Sequence, residues 1–352
     1  MVGVIPYLSN SEADGLSSRG PLDSRSAATS DRIRQTVALL GRRGYALNAE
    51  RLAELCLGGS ISPEEVLWTV AASRELILAG DLVVDRTASG RVDQIRSRAL
   101  GHLADAAAYI EMTARFVKAL VGFAPFIRSV SIAGSLASGG FRASDDVDLN
   151  LVVDDGHRHL AYVAVNMLGI VHALAHRAKP VDDLTRRPLA PRLMTANLIL
   201  ERSQCLPLQR QDEDMAFELL MAEPVFGIDA MRELIDANPG LLEHFPQLAN
   251  KPALLLIDPP AQRLPALLFP RFLDGAARAL GEGAWRYMQW TRRQHPDALR
   301  RVAYVRSTMR PYTLFDRGAS WTPGLGGSAV TGAPANSRRG LQVRGASSRG
   351  PF

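Results

Sequence analysis

Residues 130–155 read VSIAGSLASGGFRASDDVDLNLVVDD, and the rest of the chain is arranged around them. Two β-rich runs, 130–133 and 147–153, flank a turn of small residues, and two carboxylates separated by one apolar residue stand where the second run begins. Side chains alternate along a strand, so Asp146 and Asp148 share one face while Val147 and Leu149 point into the core. Two carboxylates held a few ångströms apart on a rigid strand repel each other, and nothing in the local sequence neutralises both. A divalent cation does. Just upstream, Gly134-Ser135 supplies what a polyphosphate needs: backbone without Cβ bulk, a hydroxyl, and free N–H groups at the start of a short helix.

This combination resembles the signature of the DNA polymerase beta superfamily of nucleotidyltransferases: an apolar residue, Gly-Ser, a spacer of about ten residues, then Asp-apolar-Asp-apolar. Here it runs Ala133-Gly134-Ser135, residues 136–145, then Asp146-Val147-Asp148-Leu149. The resemblance implies an α/β (α+β) fold with a small mixed sheet, and transfer of a nucleoside monophosphate from an NTP such as ATP to a hydroxyl acceptor, with release of pyrophosphate. It implies Asp146 and Asp148 as catalytic ligands of Mg²⁺ (or Mn²⁺), and Gly134 and Ser135 as nucleotide-binding residues. Neither the base nor the acceptor is readable. A narrower resemblance, over about residues 31–315, is to bacterial nucleotidyltransferase-domain proteins with an N-terminal winged helix. It rests on the order of elements, on Ala216-Phe217-Glu218-Leu219 leading to Glu223-Pro224-Val225-Phe226-Gly227, and on Ala237-Asn238-Pro239; Gly240 stands where such relatives often carry Trp.

Length and composition frame the rest. At 352 residues, 47% of them hydrophobic, the chain can bury a sizeable core in more than one module. No apolar run reaches the ~18 residues of a membrane span, and MVGVIPYLSNSEADG lacks the charged start and apolar centre of a signal peptide, so a soluble, cytoplasmic protein without a membrane partner is expected. Cys56 and Cys205 lie far apart with no Cys/His spacing around them, which argues against structural zinc or a disulfide framework. The net charge of +5 hides an asymmetry: residues 291–352 carry eleven arginines against Asp297 and Asp316, a net +9, leaving the preceding residues at −4.

The expected organisation is residues 1–29 disordered, 30–92 a winged helix-turn-helix, 93–258 the catalytic core with its leading long helix, 259–316 a C-terminal helical region and 317–352 a disordered basic tail. In the second of these, residues 31–41 and 49–57 read as helices. Ser62-Pro63-Glu64-Glu65 starts a third, with Ser at the cap, Pro in the first turn and Glu three residues on. Residues 81–92 read as a β-wing around Thr87-Ala88-Ser89-Gly90. The third helix would be the one to enter a major groove, yet Glu64, Glu65 and Glu75 outnumber Arg74, which argues against duplex DNA as partner and for packing or a protein partner. Only Arg86 and Arg91 of the wing argue the other way.

The superfamily commonly carries a third carboxylate on a neighbouring strand, and here the sequence leaves its identity open. Along 193–201, period two places Thr195, Asn197, Ile199 and Glu201 on one face and Met194, Ala196, Leu198 and Leu200 on the other. Asn197 holds the central position; an amide can ligate a metal but takes no proton at neutral pH. Glu201, or Asp182 and Asp183 of the preceding loop, are the other candidates. His172 and His176, spaced i, i+4, lack the intervening Glu of a zinc helix and read as a packing face; His157 reads as a loop position. In the C-terminal third, Tyr287, Trp290, Tyr304 and Tyr312 interleave with arginines, a composition that suits either a nucleotide-holding surface or a plain helical lid. Two readings compete with the enzyme: a catalytically silent relative that binds nucleotide or a protein partner, and a winged-helix regulator.

Overall fold

A computed structural model describes residues 21–176, 180, 193–253, 255–292 and 296–315. Asp182, Asp183, residues 1–20 and the basic tail fall outside them. The chain is of mixed α/β class, with two small sheets: one ordered β1-β3-β2, the other β6-β5-β4-β7.

The first segment contains α1 (Pro21–Arg43), β1 (Leu47–Asn48), α2 (Ala49–Glu54), α3 (Pro63–Ala72), β2 (Leu76–Ala79) and β3 (Leu82–Asp85). The helix α3 starts as its sequence dictates, with Ser62 Oγ accepting from the Glu65 amide and Glu65 Oε2 accepting from the Ser62 amide. Two expectations are corrected. The first helix begins at Pro21 rather than near Ser30, because Pro is tolerated in a first turn and the Ser-Ala run after it needs no apolar face to continue a helix already packed further on. The β-hairpin turns at Gly80-Asp81, not at residues 87–90: Ala79 pairs with Leu82, and Gly80 sits at φ +70°, where a side chain is strained. Arg86–Arg91 is a 3-10 turn started by the Asp85 carboxylate, which accepts from the Thr87 amide. The helix α3 ends at Ala72, so Arg74 and Glu75 lie on the turn into β2.

The long helix α4 (Val92–Phe123) leads into β4 (Ile127–Ala133), α5 (Gly134–Ser138), β5 (Val147–Val153), α6 (Arg158–Ala175) and β6 (Met194–Glu201). There follow α7 (Arg202–Cys205), α8 (Glu213–Met221), β7 (Glu223–Phe226), α9 (Ile228–Asp236), α10 (Pro239–His244), α11 (Leu273–Arg292) and α12 (Pro296–Thr308). In the larger sheet β4 runs antiparallel to β5 and β7, while β6 is parallel to β5. Both faces are covered, which is why β5 reads as a nearly unbroken apolar run after Asp148. On one face Leu149, Leu151, Val130 and Ile132 pack against Phe116, Val117 and Leu120 of α4 and Val165 of α6. On the other, Val152, Leu198 and Leu200 share a core with Phe217 of α8, Phe245, and Ile33, Leu40, Leu52 and Val66 of the first three helices. The N-terminal segment therefore adds to a layer of the sheet domain, and encloses only a small core of its own around Leu82, Val84 and Val92. Among the described residues no helix is long and apolar enough to cross a membrane.

Candidate functional site

The edge of the sheet where β4 ends and β5 begins is built on one close approach. Ala133 pairs with Asp148 across the strands, and the next residue, Gly134, takes φ +61° so that the chain can turn into α5. A Cβ placed on Gly134 would lie 2.2 Å from Asp148 Oδ2, so the carboxylate fills the space that any other residue would need for its side chain. The other oxygen, Asp148 Oδ1, accepts from Thr195 Oγ1 at 2.8 Å, which fixes the carboxylate against the turn. Asp146 and Asp148 are both half-buried, and Ser135 is buried with its hydroxyl donating to Asp145 at 3.3 Å. The loop between Gly139 and Asp145 is gripped from outside: a Cβ on Gly140 would meet the Tyr45 ring at 2.7 Å, and Tyr109 donates to the Ala143 carbonyl at 3.1 Å.

The neighbouring strand departs from strict alternation. Register slips between Leu149/Ala196 and Asn150/Leu198, leaving Asn197 as the extra residue of a bulge. The bulge corrects the expected faces: Thr195 and Asn197 turn toward Asp148 and Asn150, Leu198 and Leu200 join that same side, and Ile199 crosses to the α4 side. Asn197 Nδ2 donates to Asn150 Oδ1 at 3.0 Å and to Glu218 Oε1 at 2.9 Å, and Asn150 Nδ2 donates to the same Glu218 oxygen at 3.1 Å. Glu201 lies at the opposite end of the strand. It pairs with Val153, five residues along β5 from Asp148 and so about 16 Å away, and accepts from the Gly156 amide at 2.9 Å. That is far beyond the 4–5 Å or so spanned by two metal–oxygen bonds.

Glu218 and Asp145 are the acidic residues beside this edge that sequence reasoning passed over. The signal for Glu218 is a lone charge in the otherwise apolar run Met215–Met221 of α8, which needs a buried polar partner. Its helix is held at both ends. Asp212 accepts from the Met215 amide at 3.1 Å, and the Lys251 ammonium donates to the carbonyls of Leu219, Leu220 and Ala222, a cation at a helix C-terminus. Burial drives the Lys251 ammonium down to about 8, against the opposing pull of Glu223. Burial likewise raises Glu223, whose Oε2 has no hydrogen-bond partner.

The remaining candidates have structural occupations. Both ring nitrogens of His157 face carbonyl oxygens, Asp155 at 3.1 Å and Phe269 at 2.8 Å, and the ring stacks on Phe126 at 4.9 Å. His172 meets Phe116 edge-on at 5.2 Å. Tyr312 is buried in the core and takes the Gln209 amide on its hydroxyl. Arg306 lies over Trp285, 4.9 Å from the ring centroid, while Tyr287 and Trp290 stack on the exposed face of α11.

Among the described residues no group of three or more His, Cys, Asp or Glu is set to hold a metal ion. Two carboxylates suit Mg²⁺ nonetheless, since that ion keeps most of its waters and is commonly bound through one or two carboxylates plus substrate phosphates. No family model, curated protein or solved structure matches the chain.

Proposed function

We propose that the chain is a nucleotidyltransferase of the polymerase beta type, with a winged-helix-like N-terminal segment, moving a nucleoside monophosphate from an NTP to a hydroxyl acceptor. The observation that carries this reading is the Gly134–Asp148 contact, which sets a backbone turn fit for phosphate against the Asp148 carboxylate. In it, Asp146 and Asp148 hold Mg²⁺, whose chemistry there is to neutralise charge on the phosphate oxygens as pyrophosphate departs. Gly134 offers backbone that a phosphate can approach closely, and Ser135 turns its hydroxyl from Asp145 to a phosphate oxygen. Thr195 aims Asp148 by donating to it.

Calorimetric titration of Mg²⁺ with each NTP into wild type, Asp146→Asn and Asp148→Asn tests the reading. Loss of Mg²⁺-dependent nucleotide binding in folded variants is expected; equal binding by all three proteins ends it.

A second reading, a silent relative that binds nucleotide without transfer, draws on Asn197 standing where a third acid would. Pyrophosphate release with a panel of small-molecule, protein and nucleic-acid acceptors separates the two. Binding with no release from any NTP favours the silent relative.

A further inference from the structure

Asp145 stands immediately ahead of the Asp146/Asp148 pair, its side chain 10% exposed, and donors from three directions converge on it. Arg98 of α4 reaches it with Nη2 at 3.3 Å, and the Ser135 hydroxyl donates at 3.3 Å. Arg142 approaches with its backbone N–H at 3.3 Å and its guanidinium at 3.4 Å. Hydrogen bonds between ionised partners ordinarily measure about 2.7–2.9 Å. All of these contacts are longer, so one carboxylate is divided among donors that it serves poorly. In addition, the Nε atoms of Arg98 and Arg142 are buried and have no hydrogen-bond partner. A buried guanidinium N–H without an acceptor is an unfavourable arrangement that a better anion relieves. The helix α4 runs beside the loop that carries Arg142: a Cβ on Gly101 would come into ordinary contact with the Phe141 carbonyl oxygen, at 3.9 Å. Both guanidiniums thus reach one carboxylate beside the Gly134-Ser135 turn.

We infer that Arg98 and Arg142 recognise the terminal phosphates of a nucleoside triphosphate, and that Asp145 holds these donors in place until the phosphate arrives. The inference rests on the nucleotidyltransferase reading of the turn and specifies its ligand as a polyphosphate rather than a nucleoside monophosphate. A terminal phosphate offers three oxygens, enough to accept Nη and Nε of a guanidinium together in its fork and to take the Ser135 hydroxyl as well. Lysine in place of Arg98 offers a point charge without that fork.

The test is calorimetry on the full chain with Mg²⁺ and three probes, ATP, AMP and inorganic tripolyphosphate, for wild type, Arg98→Ala, Arg98→Lys and Asp145→Asn. Arg98→Ala is expected to weaken ATP and tripolyphosphate by about tenfold or more, the loss of one charge-assisted contact. AMP affinity stays unchanged and Arg98→Lys recovers only part of the loss. Asp145→Asn keeps both arginines and frees them, so it is expected to bind tripolyphosphate more tightly than wild type. Unchanged ATP and tripolyphosphate affinity in a folded Arg98→Ala protein overturns the inference while the nucleotide site stands. Should Arg98→Ala fail to fold, weaker or equal tripolyphosphate binding by Asp145→Asn overturns it instead. A wild type that binds neither ATP nor tripolyphosphate overturns the nucleotidyltransferase reading together with this one.

Discussion

Replacing Gly134 with Ala tests the contact on which the site is built. At φ +61° an L-residue is strained by about 1–2 kcal/mol. The new Cβ would also lie 2.2 Å from Asp148 Oδ2, so the carboxylate must leave its position. Rotating it away costs about 0.5–1.5 kcal/mol in off-rotamer strain and gives up the Thr195 hydroxyl bond, worth roughly 1.5–3 kcal/mol to a charged acceptor. Together these predict a destabilisation of about 3–6.5 kcal/mol. Gly139 is the internal control. It also has positive φ, +85°, but a Cβ there meets nothing within 4 Å, so Gly139→Ala should lose only the backbone term of about 1–2 kcal/mol. Equilibrium denaturation of both variants at matched m-values measures the difference, and calorimetry with Mg²⁺ and ATP reads the site. Under the proposed function, binding is lost in Gly134→Ala and kept in Gly139→Ala. Equal destabilisation within about 0.5 kcal/mol, the usual scatter between independent sites, together with equal nucleotide affinity, refutes the reasoning.

Glu218→Ala takes the acceptor from the Asn150 amide and leaves the Asn197 amide only Asn150 Oδ1, and should cost about 1–3 kcal/mol, whereas Glu218→Gln retains Oε1 as acceptor and should cost less; equal losses in denaturation melts would show that the network contributes nothing. Lys251 gives a pH signature: its folded pKa of about 8 lies below the ordinary 10.5, so the folded protein binds fewer protons between those values and stability rises with pH across the window by up to roughly 3 kcal/mol. Burial of Cys205, which raises its thiol to about 12, acts oppositely above pH 9, so the difference between wild type and Lys251→Met isolates the lysine. A difference that stays flat from pH 7.5 to 10 contradicts the burial argument.

What could be read from the sequence followed from local rules. The capping box at Ser62, the strands at 127–133 and 147–153 and the long helix α4 rest on interactions within a few residues or on an uninterrupted period, and the structure places all of them close to their expected bounds. The failures share a different cause. A bulge at Asn197 is a property of two strands pairing, so period two applied to residues 193–201 alone put Ile199 and Leu198 on the wrong sides. The hairpin was misplaced because Thr87-Ala88-Ser89-Gly90 has the composition of a turn, while the tighter Gly80-Asp81 was hidden between two apolar runs. Arg98 lies far from the motif in sequence, in a helix whose stripe predicts only packing, and nothing local ties it to Asp145.

The N-terminal helices also bear on the site. Tyr45 abuts Gly140, in the loop that joins Ser135 to Asp146, and the same segment buries Ile33, Leu40 and Leu52 against the layer that carries Glu218. Glu64 and Glu65 lie in the first turn of α3, where they favour the helix dipole and Glu65 closes the cap, so their negative charge serves the fold and at the same time repels phosphate. The segment thus braces the motif loop. Asn197 is bound to Asn150 and Glu218, and Glu201 lies at the far end of its strand, so neither is placed to supply the proposed transfer with the general-base share of rate, typically about 10²- to 10⁴-fold. What the described residues offer the proposed transfer is positioning: a rigid turn at Gly134 and an Asp148 aimed by Thr195.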